Sequence, residues 1–92
     1  MTKQEIANRI NKINKISEAT ADNVENYKMN IECNGKIYDV YLAGNDEMFD
    51  LNEFYQIGID PSNGKEYKFF FDAPDGDLDD VDYTEAYRME IC

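Results

Sequence analysis

The sequence contains no histidine and no tryptophan, and only two prolines and two cysteines in 92 residues. Without histidine there is no Ser-His-Asp triad, no Cys-His dyad and no His-ligated zinc. Two cysteines, Cys33 and Cys92, are too few for a four-thiolate zinc site or for the disulfide framework of a small secreted domain. Cys33 reads as a buried thiol and Cys92 as a tail thiol, a disulfide staying open only if the last strand ends beside the first hairpin. Uninterrupted apolar stretches such as Phe69-Phe70-Phe71 stay far below the roughly 20 residues of a membrane-spanning helix. Neither GxGxxG nor GxxxxGK[ST] is present, so no glycine-rich phosphate cradle is expected. Basic residues are also scarce. Nine Lys and Arg stand against 20 Asp and Glu, a net charge of -11, which argues against direct binding to nucleic acid.

What remains suits one small domain spanning residues 1–92. Thr2-Lys3-Gln4-Glu5 is a capping box, in which the Thr side chain and the Glu side chain each satisfy an orphan amide. Ile6, Ile10, Ile13 and Ile16 follow at helical spacing, predicting an amphipathic helix over about 3–18. Residues 17–26 read as a polar linker. Asn34-Gly35 predicts a two-residue type I′ turn. Pairing outward from it sets Cys33 against Lys36, Ile31 against Tyr38, Met29 against Val40 and Tyr27 against Leu42. That register gathers the apolar residues on one face and leaves Lys28, Asn30, Glu32, Ile37, Asp39 and Tyr41 on the other.

Residues 43–52 read as a loop with one helical turn near Met48 to Leu51. A second hairpin is expected from 54–60 and 65–72 around Pro61-Ser62-Asn63-Gly64, a turn-forming set. Phe70 breaks the alternation of Tyr67, Phe69 and Phe71. A loop with six aspartates follows, from Asp72 to Asp82. Tyr87, Met89 and Ile91 then alternate with Arg88 and Glu90, favouring a fifth strand over a short helix. The expected fold is α+β: the N-terminal helix on one face of a four- to five-stranded antiparallel sheet built from two hairpins.

The aspartate loop does not scan as an EF-hand. Gly76 at the sixth position would place Phe71 and Ala73 where acidic ligands are required. No metal or cofactor is expected, and with no base to activate Cys33 the chain reads as a non-enzyme. Charge is the stronger signal. Residues 29–92 hold 16 acids against Lys36, Lys65, Lys68 and Arg88, a net of -12, whereas residues 1–28 net +1. A domain of this length is roughly 32 Å across, a span over which duplex DNA carries roughly 19 phosphates. Tyr41, Phe54, Phe70 and Tyr83 do not fit the apolar face and are expected to be exposed, as aromatic anchors beside steering charge. The candidate partner-binding residues are therefore Asp72, Asp75, Asp77, Asp79, Asp80, Asp82, Tyr41, Phe70 and Tyr83.

In size, acidity and plan, with its Lys-bearing helix, its Asn34-Gly35 hairpin and its Asp72–Asp82 run, the chain resembles the small acidic phage proteins that block host defence, anti-CRISPR inhibitors of Cas nucleases among them. The resemblance implies a non-catalytic inhibitor that mimics nucleic acid and occupies a basic, nucleic-acid-handling protein. It would act in the host cytoplasm, without binding nucleic acid or membrane itself. The apolar-poor N-terminus Met1-Thr2-Lys3-Gln4-Glu5 likewise suggests a cytoplasmic protein. Two alternatives share the features: an immunity protein or antitoxin that neutralises a basic toxin, and a homo-oligomeric structural or regulatory module, for instance a homodimer.

Overall fold

The capping box forms as expected and starts α1, Lys3–Asn14. Thr2 Oγ1 accepts from Glu5 N at 3.2 Å, and Thr2 N donates to Glu5 Oε1 at 3.3 Å. A computed structural model describes residues 1–44, 49–50, 53–73 and 78–92. The helix ends one turn earlier than the isoleucine spacing predicts, because Lys15 adopts the left-handed conformation at φ 55°. There the amide of Ile16 turns back to Asn11 O at 3.0 Å. Ile6 and Ile10 are buried, Ile13 is partly buried, and Ile16 lies outside the helix and is exposed.

The polar linker is more ordered than its composition suggests. Asn11 clamps Ala19 with two 2.9 Å bonds, donating from Nδ2 to Ala19 O and accepting at Oδ1 from Ala19 N. A 3₁₀ turn, Val24–Tyr27, follows. Ala19 and Val24 are buried beneath α1. Two isolated small apolar residues carry no period, so nothing in the local pattern announces them.

The strands are β1 (Lys28–Cys33), β2 (Lys36–Ala43), β3 (Phe49–Asp50), β4 (Glu53–Ile59), β5 (Glu66–Phe71) and β6 (Arg88–Ile91). They pair antiparallel in the order β1-β2-β4-β5-β6, with β3 beside β4. The first hairpin has the expected register from Cys33–Lys36 to Met29–Val40. Asn34 at φ 55° and Gly35 at φ 82° make the two left-handed turn residues. Gly35→Val is expected to destabilise the protein by at least about 1 kcal/mol, because a β-branched residue resists positive φ. Urea melts showing no loss would exclude the turn as a determinant of register. In the second hairpin Gly64 takes φ 72°, and Asp60 Oδ1 accepts from both the amide and the hydroxyl of Ser62.

Each face of the sheet has its own core. α1 covers the face bearing Tyr41, Ala43 and Ile59. The face predicted from the Asn34-Gly35 register, with Ile31, Cys33 and Val40, instead gathers Phe54, Tyr67, Phe69 and Phe71 from β4 and β5. It is closed by the chain itself. Val81, Tyr83 and Ala86 pack against it from the segment before β6. That segment also reaches the free edge of β1: Glu32 N donates to Thr84 O at 2.8 Å, and Ala86 N donates to Glu32 O at 2.9 Å. One residue later, Tyr87 N donates to Phe70 O at 3.0 Å, on β5. The last segment thus touches both ends of the sheet, which curls toward a small barrel. Tyr87 and Arg88 both lie opposite Phe70, a β-bulge that redirects the strand from one edge to the other. Gly58 lines the barrel interior, where a Cβ would stand 2.5 Å from the Phe69 ring and 3.0 Å from Val40.

Candidate interaction surface

The aromatic half of the expected partner surface is corrected by the structure. Tyr41 is buried under α1, and its hydroxyl donates to Glu25 Oε1 at 3.2 Å. Burial and this carboxylate together push the phenol above its ordinary range. Phe70 is buried as well. The Arg88 guanidinium lies 3.9 Å from its ring centre, and Tyr55 and Tyr87 pack beside it at 5.8 and 6.3 Å. Phe54 is buried in the barrel. Tyr83 is half-buried, its ring edge-on to Phe71 at 5.2 Å and to Phe54 at 6.0 Å. Exposure of these aromatics would require a sheet with one face uncovered. With α1 on one face and the 78–86 segment on the other, off-pattern aromatics become core.

The acidic half behaves differently. Asp72, Asp79, Asp80 and Asp82 are all exposed. Asp75 and Asp77 lie outside the described residues. Asp79 and Asp80 occupy a 3₁₀ turn, Leu78–Asp80. Asp82 Oδ1 accepts from the Thr84 amide at 2.9 Å and the Thr84 hydroxyl at 2.6 Å, fixing the approach to β1. Two residues that the sequence reading missed join this surface. Glu32 and Glu85 face each other in a bridge between β1 and the 84–86 segment and line a shallow groove with Asn34 and Ala86. They are more than 50 positions apart in sequence, so only the closure of the sheet brings them together.

The ion-paired cations lie elsewhere. Among the described residues, ion pairs join Lys3 to Glu25, Arg9 to Glu66, Lys28 to Asp39 and Arg88 to Glu53. All four lie on the side of the sheet that carries α1, as does Lys68, 4.6 Å above the Tyr55 ring. Glu32, Glu85, Asp80 and Asp82 join none of these pairs. The fold therefore gives an uneven sequence an uneven surface. Four of its acids are matched by cations on the α1 side, and the 78–86 segment with Glu32 beside it forms an anionic surface.

Crowding among so many acids would be expected to raise carboxylate pKa values. Glu5 and Asp82 go the other way. Both are held below the usual carboxylate range, Glu5 chiefly by the Thr2 amide and hydroxyl and Asp82 by the hydroxyl and amide of Thr84. A folded pKa below the unfolded value gives stability that is present above the unfolded pKa and lost as pH falls through the folded one. Melting temperature is therefore expected to fall on acidification below about pH 4. Thr84→Val should shrink that fall. An unchanged acid limb in the Thr84→Val protein would remove Asp82 from the account.

Both cysteines are free, Cys33 buried and Cys92 exposed. Burial pushes the Cys33 thiol up, away from nucleophilic reactivity. Among the described residues no three Cys, Asp or Glu side chains are grouped to hold a metal ion, and no helix is long and apolar enough to cross a membrane. Comparison with protein-family models, curated proteins and solved structures finds no match.

Proposed function

We propose that the protein is a non-catalytic, acidic inhibitor that binds a basic nucleic-acid-handling protein through the surface formed by Glu32, Asp79, Asp80, Asp82 and Glu85. One observation carries this reading: Asp80, Asp82 and Glu85 of the 78–86 segment and Glu32, which is bridged to it, are exposed side by side and join none of the ion pairs among the described residues. An anionic surface steers encounter with an oppositely charged cleft. The molecule extends 36 Å along its longest axis, a length over which a duplex presents roughly 21 phosphates. A groove shaped for nucleic acid, such as that of a Cas nuclease or a related defence effector, suits such a surface. With Tyr41 and Phe70 buried, neither serves as an aromatic anchor of the interface.

The test is recovery of partners from a bacterial lysate on immobilised protein, washed at graded salt. A nuclease or other nucleic-acid-binding protein that elutes as salt rises and is displaced by duplex DNA supports the proposal. Recovery of a small basic toxin, undisturbed by DNA, would point to immunity instead.

A further inference from the structure

β6 ends the sheet with one side of its backbone unused. Cys92 N donates to Glu66 O at 3.0 Å, and Glu90 stands opposite Lys68. The alternation of a strand then sends the amide and carbonyl of Met89 and Ile91 outward. Among the described residues nothing pairs with that outer edge. An open edge is a template for another strand. Proteins commonly block such edges with charge of one sign, but β6 reads Arg-Met-Glu-Ile. Its charges are of opposite sign and symmetric about Met89.

We propose that two copies of the chain pair antiparallel through the outer edges of β6, with the two-fold axis at Met89. This register sets Met89 against Met89 of the second copy and Arg88 against Glu90 of the second copy, twice. The row across the joined sheets runs Lys68, Glu90, then Arg88 of the second copy, alternating in sign. Centring the pair on residue 88 or 90 would set Arg against Arg or Glu against Glu, which is destabilising. Charge thus specifies both the partner, a second copy, and the register. The interface also covers part of Ile91, which is 66% exposed in the single chain. It uses four residues per copy, so it falls at the small end of specific interfaces and the dimer is concentration-dependent. It lies apart from the acidic 78–86 surface and is independent of the inhibitor reading.

The experiment is sedimentation velocity of the full chain from about 1 µM to about 1 mM, at about 0.3 M NaCl to screen net repulsion. The wild type should shift from monomer to dimer within that range. Glu90→Arg and Arg88→Glu should each raise the dissociation constant at least tenfold. An equimolar mixture of the two should restore the wild-type constant, because every facing pair is again of opposite sign. Circular dichroism reports whether each variant is folded, which matters for Arg88 because it also holds Glu53 and covers Phe70. A second measurement does not rely on Arg88. With Cys92→Ser in the background, Met89→Cys should crosslink on mild oxidation, since facing Cα atoms of a hydrogen-bonded pair lie about 5.5 Å apart, within disulfide reach. Glu90→Cys should not crosslink. A wild type that stays monomeric throughout, or a dimer unaffected by Glu90→Arg, overturns the proposal.

Discussion

Phe69→Ala is expected to lower stability by about 3–5 kcal/mol, enough to unfold much of the population of a domain whose total is of order 5–14 kcal/mol. Phe69 is fully buried, lies edge-on to Tyr38 at 5.5 Å and to Tyr67 at 6.1 Å, and presses its ring toward Gly58. No neighbour is placed to refill the space, because glycine has no side chain to move and the rings around it are held by one another. The second core gives a graded comparison. Ile10→Ala removes a side chain with no exposed surface and should lose about 2–5 kcal/mol. Ile13→Ala, at the edge of the same cluster, should lose less. Lys12→Ala, exposed on the helix, should change stability by less than about 0.5 kcal/mol. Urea denaturation with matched slopes ranks the four. Equal losses for Ile10→Ala and Lys12→Ala would contradict the placement of α1, and a mild Phe69→Ala would contradict the closed interior.

Neutralising the anionic surface should have the largest effect on binding. A protein carrying Asp79→Asn, Asp80→Asn, Asp82→Asn and Glu85→Gln keeps the shape of each side chain and removes four charges. Association with the recovered partner should slow roughly tenfold or more at low salt, with dissociation changed less. Its salt dependence should flatten as well. Folding should change little, since the facing pair Glu32 and Glu85 loses a like-charge repulsion while Asp82→Asn weakens the bonds to Thr84. Surface plasmon resonance at two ionic strengths reads both rates. A quadruple variant that binds and inhibits like the wild type would refute charge mimicry. Tyr41→Ala and Phe70→Ala are not tests of the interface, because both side chains are core and their loss should appear as a lower melting temperature.

Local chemistry determined a good deal of this protein from the sequence alone. The capping box starts α1, and Asn34-Gly35 imposes both left-handed turn residues and through them the register of β1 and β2. In each case the deciding interactions lie within a few residues of chain, so the pattern is readable before any folding. The acidity of residues 72–82 was equally plain.

Tertiary structure decided the rest. The helix and the alternating hairpin could be read, but not which sheet face the helix would cover. That face carries Tyr41, whose burial follows from α1 lying on it and not from any local alternation. Phe70 is covered by Arg88, a residue from another strand. The pairing of Glu32 with Glu85, and with it the shape of the anionic surface, depends on the 84–86 segment reaching the edge of β1. That contact forms because the sheet twists and curls until its ends approach, a property of strands packed together and of the bulge at Tyr87 and Arg88. A sequence period reports which residues share a side of one element. It carries no record of what will lie on that side once distant segments pack.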